Sequence, residues 1–207
     1  LRYQDSVELA TGEFIALVIA NDEYDNWDRL RTPQNDAQLV GSVLSERFGF
    51  EVNYLFNASR RDTLKAIYEL SSEVAFSDHL LVYYAGHGVR DDVTDTAYWI
   101  PSDAPRDLRF DWISADEILT SLKAIQSRHL LLVADSCYSG KLLRGAAPTE
   151  RNPGAALIER LFSKKARVAI TSGGDEPVAD GSSNGANSIF AKSFVSALES
   201  VNKPLPA

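Results

Sequence analysis

The fold class this sequence predicts is an α/β sandwich: a mostly parallel central sheet covered by helices on both faces, with a small added hairpin. Two observations point to it. Short runs rich in Val, Ile, Leu and aromatic residues show little polar alternation, as strands buried on both faces do. Between them lie segments whose apolar residues recur at helical spacing, so that strands and helices alternate along the chain. The 207 residues are enough for one domain, in which folding buries on the order of 70% of the unfolded chain's surface.

In chain order, Phe14–Ala20 reads as the first strand, and Ala37, Val40, Leu44 and Phe48 form the first helical stripe. Val52–Phe56 is the second strand. Ser59 with Asp62 has capping-box spacing, and the stripe Leu64, Ile67, Leu70 and Val74 follows it. His79–Ala85 is a third buried strand, and the aromatic segment Ala97–Ile100 supplies the hairpin. Ser114 with Glu117 starts another helix before the strand His129–Ala134. Asn152-Pro153 reads as an N-cap followed by proline at the first helical position, ahead of the strand Arg167–Thr171. A small-residue stretch, Gly181 to Asn187, precedes a last stripe of Ile189, Phe190, Phe194, Ala197, Leu198 and Val201. The whole of 1–207 is expected to be a single domain, with 1–13 as an N-terminal extension and 138–153 as a flexible or cleavable loop.

Composition narrows the function. Hydrophobic residues at 44% and charged residues at 24% exclude a disordered chain. The net charge of −8, with no basic stripe, argues against nucleic acid as a partner. The longest apolar runs are strand-length, which argues against a membrane span. A single cysteine forbids an internal disulfide and suits a reducing, cytoplasmic compartment, or a thiol used for chemistry. No methionine occurs, even at position 1. A fragment or processed product is therefore expected, with other domains of a larger parent chain or a regulatory partner.

In parallel sheets of this kind ligands sit beyond the carboxyl ends of the strands. After the third strand comes Gly86-His87-Gly88, and after the fourth comes Asp135-Ser136-Cys137-Tyr138-Ser139-Gly140. A parallel sheet would bring His87 and Cys137 to one rim. A free thiol is only a few per cent thiolate at neutral pH, and an imidazole within reach can take its proton and later protonate a leaving amine. Glycines on both sides of His87 remove Cβ clashes, and the amides of Gly88 and Cys137 are placed to meet a developing oxyanion. A lone buried cysteine is more often an inert packing residue, and a histidine in a glycine-rich turn is more often structural. The joint occurrence favours chemistry, because the chain holds three histidines and one cysteine in all. His79 and His129, each opening a strand, are read as bystanders.

Tyr83-Tyr84-Ala85-Gly86-His87-Gly88 and Asp135-Ser136-Cys137-Tyr138-Ser139-Gly140 resemble the two signature blocks of the caspase-like cysteine peptidases, and are most similar to their bacterial branch and to the metacaspases. The separation agrees with the roughly 50-residue interval between histidine and cysteine in caspases. The resemblance runs from Phe14 through the last helix. It implies a caspase-like sandwich and endopeptidase activity through a thioacyl-enzyme. His87 would be general acid and base, Cys137 the nucleophile, and the Gly88 and Cys137 amides the oxyanion hole. No cofactor or metal takes part in that chemistry.

The same resemblance implies specificity. The residue two before the nucleophile is Asp135, as in metacaspases, which cut after Arg or Lys, where caspases carry glutamine. The stretch Leu30 to Asp36 resembles the metacaspase segment whose aspartate lines the same pocket. Two carboxylates would hold a guanidinium and repel an acid, so a polypeptide with Arg or Lys at the cleaved position is the expected substrate. Asp36 is also placed to act merely as a helix cap or dipole partner. Arg31 keeps an acid-binding pocket open as an alternative. Asp175, Glu176 and Asp180 offer a third pocket acid or are solvated loop residues. A basic-specific peptidase could cut itself at Arg144 or Arg151. Asp91, Asp92 and Asp95 look like a calcium loop but are expected to be a solvated face, since Lys141 and Arg144 stand where the family places further acid. An interaction scaffold without turnover, or another cysteine hydrolase or acyltransferase on the same sheet, remains an alternative function.

Overall fold

The computed structural model describes residues 12–91, 93–136, 166–172 and 186–200. Its centre is a five-stranded, all-parallel sheet formed by β1 (Phe14–Ala20), β2 (Glu51–Phe56), β3 (His79–Ala85), β7 (His129–Asp135) and β8 (Ala166–Thr171). Their order is β2-β1-β3-β7-β8. The α-helices among the described residues are α1 (Pro33–Phe48), α2 (Arg60–Glu73), α3 (Ala115–Ala124) and α4 (Ile189–Ser200).

Strand residues alternate between two cores. Ile15, Leu17 and Ile19 of β1, with Leu80, Val82 and Tyr84 of β3, face Ile67 and Leu70 of α2 and Ile118 and Leu122 of α3. Ala16, Val18 and Ala20, with Leu81, Tyr83 and Ala85, face Ala37, Val40 and Leu44 of α1 and Phe194 and Val195 of α4. Both faces need apolar side chains, so β1 and β3 read as unbroken apolar runs. The capping serines behave as their spacing predicts. The Ser59 hydroxyl accepts from the Asp62 amide and Ser114 from Glu117, each starting its helix. At the other end of α1, Gly49 takes the left-handed conformation (φ 71°) that closes a helix cheaply.

Two expectations need correction. β2 is the edge of the sheet, not a buried strand, and Tyr54 and Phe56 are exposed on it. The hairpin is a three-stranded antiparallel sheet of β4 (Gly88–Asp91), β5 (Thr96–Trp99) and β6 (Ile113–Ser114). A two- or four-residue strand carries too little periodicity to be seen in sequence. Within the proposed extension, the Glu13 amide donates to Asp78 and its carbonyl accepts from His79, so this residue is tied to the start of β3.

The chain leaves β1 toward β2 on one side, while β3 leads onward to β7 on the other. The carboxyl ends of β1 and β3 therefore flank a topological switch point, the place where open α/β sheets bind their ligands. His87 follows β3 at that point.

Candidate active site

β3 and β7 run in register, with Ala85 beside Asp135, and the Gly86 amide donates to the Asp135 carbonyl at 3.4 Å. His87 lies two residues beyond Ala85. Cys137 lies two residues beyond Asp135 and outside the described residues. β3 and β7 thus end side by side at the same edge of the sheet.

The backbone of His87 is held from several sides. Its amide donates to the Tyr24 hydroxyl at 2.8 Å, and its carbonyl accepts from the Tyr84 hydroxyl at 2.8 Å and the Ile100 amide at 3.1 Å. Tyr24 and Trp27 flank the imidazole, with ring centroids 4.7 and 5.7 Å away. Nε2 lies 2.7 Å from the Asp28 carbonyl oxygen. A carbonyl has no proton to give, so Nε2 carries the hydrogen and donates it. In the neutral ring Nδ1 is then the lone-pair nitrogen, fixed as the basic atom.

The donation from Ile100 to the His87 carbonyl also fixes the start of β4. Gly88 and Trp99 become a non-hydrogen-bonded pair of the antiparallel ladder, so the Gly88 N–H points away from β5. β4 is an edge strand, and no strand among the described residues receives that donor.

The loop carrying Tyr24, Trp27 and Asp28 is anchored by two asparagines. Buried Asn21 accepts from the Ala58 amide at 2.9 Å. The Asn57 side-chain oxygen accepts from the Asp22 and Glu23 amides and from Gln34. Asn57 itself sits at φ 48°, a left-handed conformation that asparagine tolerates better than most residues. The Trp27 indole donates to the Ala104 carbonyl at 3.0 Å, and the Arg106 guanidinium lies over its ring.

On the other side of the rim two carboxylates meet. Asp36, in the first turn of α1, is 1% exposed, and Asp135, at the end of β7, is 8% exposed. Ser188 joins them. Its amide donates to Asp36 Oδ1 at 2.9 Å, and its hydroxyl donates to Asp135 Oδ2 at 2.6 Å. Asn187 and Thr32 add side-chain hydrogen bonds to Asp36, and Ser172 adds one to Asp135. Burial pushes both carboxyl groups above their ordinary range despite these donors, and for Asp135 the nearby Asp36 pushes the same way. No ion pair joins either acid to a basic side chain among the described residues. The Tyr83 hydroxyl is buried with no hydrogen-bond partner among those residues. Burial first, then Asp135 and Asp36, raise it well above the ordinary phenol range, so it stays protonated.

A family model for the caspase domain of peptidases matches residues 13–206. The chain belongs to the caspase-domain family. The fold agrees: a crystal structure of a Geobacter sulfurreducens protein, determined as a structural-genomics target, superimposes with a TM-score of 0.64 at 22% identity. That match covers 90% of this caspase domain and 82% of the other chain. No curated protein matches the chain.

Within the caspase domain, the structure brings Asp36, Asp135, His87 and Gly88 to one edge. His79 and His129 lie at the opposite edge, in register and 2.8 Å apart between their Nδ1 atoms. Seven-residue strands at about 3.3 Å per residue put them roughly 20 Å from His87. Asp36 does not cap its own helix with its carboxylate, which reaches across to Ser188. Arg31 is exposed. Asp91 is buried and occupied by the Val93 amide, the Thr94 hydroxyl and Arg109, which corrects the expected solvated face at that position, whereas Asp95, paired with Arg90 at 2.7 Å, is exposed as expected. No cluster of metal-ligating side chains occurs among the described residues. Asp92, Arg144, Arg151, Asn152, Asp175, Glu176 and Asp180 lie outside the described residues.

Sequence reading missed Tyr24, Trp27, Asp28 and Ser188. Ser188 had a signal, since a serine directly before an apolar helical stripe is an N-cap. The loop residues had none beyond aromatic side chains in a polar stretch.

Gly86 removes a Cβ clash, as expected, and the clash would be with the groups that hold His87. A Cβ there would come within 2.7 Å of the Tyr24 hydroxyl and 2.8 Å of the Tyr84 hydroxyl, the two groups that hold His87. Gly86→Ala should therefore destabilise the fold by about 1–3 kcal/mol, the usual cost of overpacking. It should also lower any peptidase turnover at least tenfold. Thermal melts and peptide hydrolysis check this, and a variant equal to wild type in both would show that the tyrosines yield freely.

Proposed function

We propose that this caspase domain is a cysteine endopeptidase that cleaves peptide bonds after Arg or Lys. Cys137 is the nucleophile and His87 Nδ1 the acid and base. The Gly88 and Cys137 amides receive the oxyanion, and Asp36 and Asp135 bind the basic side chain. Nδ1 takes the thiol proton, and the sulfur attacks the scissile carbonyl carbon to give a tetrahedral oxyanion. Collapse of that intermediate breaks the C–N bond, and Nδ1 returns its proton to the departing amine. The remaining thioacyl-enzyme is hydrolysed by a water that Nδ1 deprotonates, releasing the new carboxylate and the thiol.

The observation that carries the specificity is the pair of buried carboxylates with neutral donors alone around them among the described residues. Burying charge without a counter-charge costs several kcal/mol, and a guanidinium or ammonium entering the slot offsets that cost where an acidic side chain would add to it. The register of β3 and β7 supports the dyad, because it gives His87 and Cys137 the same offset from paired residues. The lone-pair nitrogen fixed by the Asp28 carbonyl supports the proton-transfer role.

The test is a set of fluorogenic peptides that differ at the cleaved residue alone. Arg and Lys peptides are expected to turn over at least 100-fold faster than the Asp peptide. Faster cleavage of the Asp peptide would overturn the specificity.

A further inference from the structure

The last helix begins at the acid pair, and one residue makes the junction. Ser188 uses three of its atoms there. Its hydroxyl oxygen accepts from the Ala191 amide at 2.9 Å, the geometry of an N-cap on α4. That amide is a donor, so the single hydroxyl proton is left for the carboxylates: it goes to Asp135 Oδ2 at 2.6 Å, with Asp36 also within the hydroxyl's reach. Its backbone amide goes to Asp36 Oδ1 at 2.9 Å. The positive end of the twelve-residue α4 thus faces two carboxylates that come from α1 and from the end of β7. Asn35 reinforces the junction by donating to the Ala186 carbonyl at 3.2 Å.

We propose that Ser188 is a positioning residue for substrate selection, whose hydroxyl orients the Asp135 carboxylate beside Asp36 so that the two together receive one basic side chain. This rests on the reading of the acid pair as the substrate-side-chain pocket. Without the hydroxyl, Asp135 loses a charge-assisted hydrogen bond and is held, among the described residues, by Ser172 alone, a looser hold on its place in the slot. A bidentate guanidinium is sensitive to that loosening. The bond-breaking chemistry at His87 is not.

The variant to make is Ser188→Gly, because glycine is nearly as good an N-cap as serine and keeps the amide to Asp36. Ser188→Thr, which retains a hydroxyl, is its rescue partner. Substrates carrying Arg or its neutral isostere citrulline at the cleaved position are compared in steady state. In Ser188→Gly, KM for the Arg peptide should rise about 10-fold, the worth of one hydrogen bond to a charged group, with kcat within about twofold. The citrulline peptide should be cleaved as by wild type, and Ser188→Thr should recover most of the Arg preference.

An unchanged Arg-to-citrulline ratio in Ser188→Gly, or an equal loss on both peptides, would overturn the role of Ser188 while leaving the acid pocket in place. A wild type without any Arg preference would overturn the pocket, and this inference with it. Thermal melting of both variants separates a poorly folded protein from a selectivity change.

Discussion

His87→Ala should lower kcat/KM for an Arg peptide by about 10²–10⁴-fold, the usual contribution of a positioned acid-base group. The loss should fall on kcat, because in the proposed mechanism the imidazole serves the thiol and the leaving amine and not the specificity side chain. The fold should survive. The ring is half-buried at the rim, and the backbone of this residue is held by Tyr24, Tyr84 and Ile100, none of which uses the side chain. Steady-state kinetics with a melting curve checks both halves. A variant with wild-type kcat would remove His87 from the chemistry.

Asp135→Asn produces the second large effect, in opposite directions for activity and stability. Removing one partner from a buried charged contact typically costs 2–5 kcal/mol, so kcat/KM for Arg peptides should fall from about 30-fold to several-thousand-fold. Stability should move the other way. The Asp135 carboxyl is raised above its ordinary value by burial and then by Asp36. The folded state therefore favours the protonated acid over the ionised one. Its contribution to stability is fully present below the ordinary carboxylate range and is lost as pH rises through the raised value. Above that raised value the native protein carries a charge that the fold disfavours, and the neutral amide relieves it. Each kcal/mol regained should raise Tm by about 2–4 °C for a chain of this size. The gain should shrink toward acid pH, where wild type is already protonated. Melting curves at neutral and mildly acidic pH test this, and a variant less stable than wild type at neutral pH would contradict it. The same titration gives wild-type activity on Arg peptides an acid limb above the ordinary aspartate range, since the carboxylates must be ionised to bind.

The central strands were legible because burial on both faces leaves an unbroken apolar run, as in His79–Ala85, whose every residue is buried. The helix starts at Ser59 and Ser114 were legible because a cap is a local interaction between residues three apart. β4 and β6 were not, since their pairing depends on partners in other elements. The site divides the same way. His87 and Asp135 stand where strands end, and a strand end is a local feature. The tautomer of His87 depends on a carbonyl 59 residues away, and the link between Asp36 and Asp135 depends on a serine 53 residues beyond the second of them. Such contacts exist after the helices have packed and leave no periodicity behind. Tyr24 illustrates the point: its place in the sequence is an ordinary polar loop, yet its hydroxyl is the acceptor for the His87 amide.

The most direct measurement is covalent. A peptidyl-arginine chloromethyl ketone and its aspartate counterpart are incubated with wild type and with His87→Ala, and the adducts are located by peptide mass spectrometry. One adduct per wild-type chain is expected, on Cys137, formed rapidly with the arginine reagent and slowly with the other, and strongly slowed in His87→Ala. Labelling that ignores the peptide's charge and the loss of His87, or an unmodified Cys137 in active protein, would contradict the proposed mechanism.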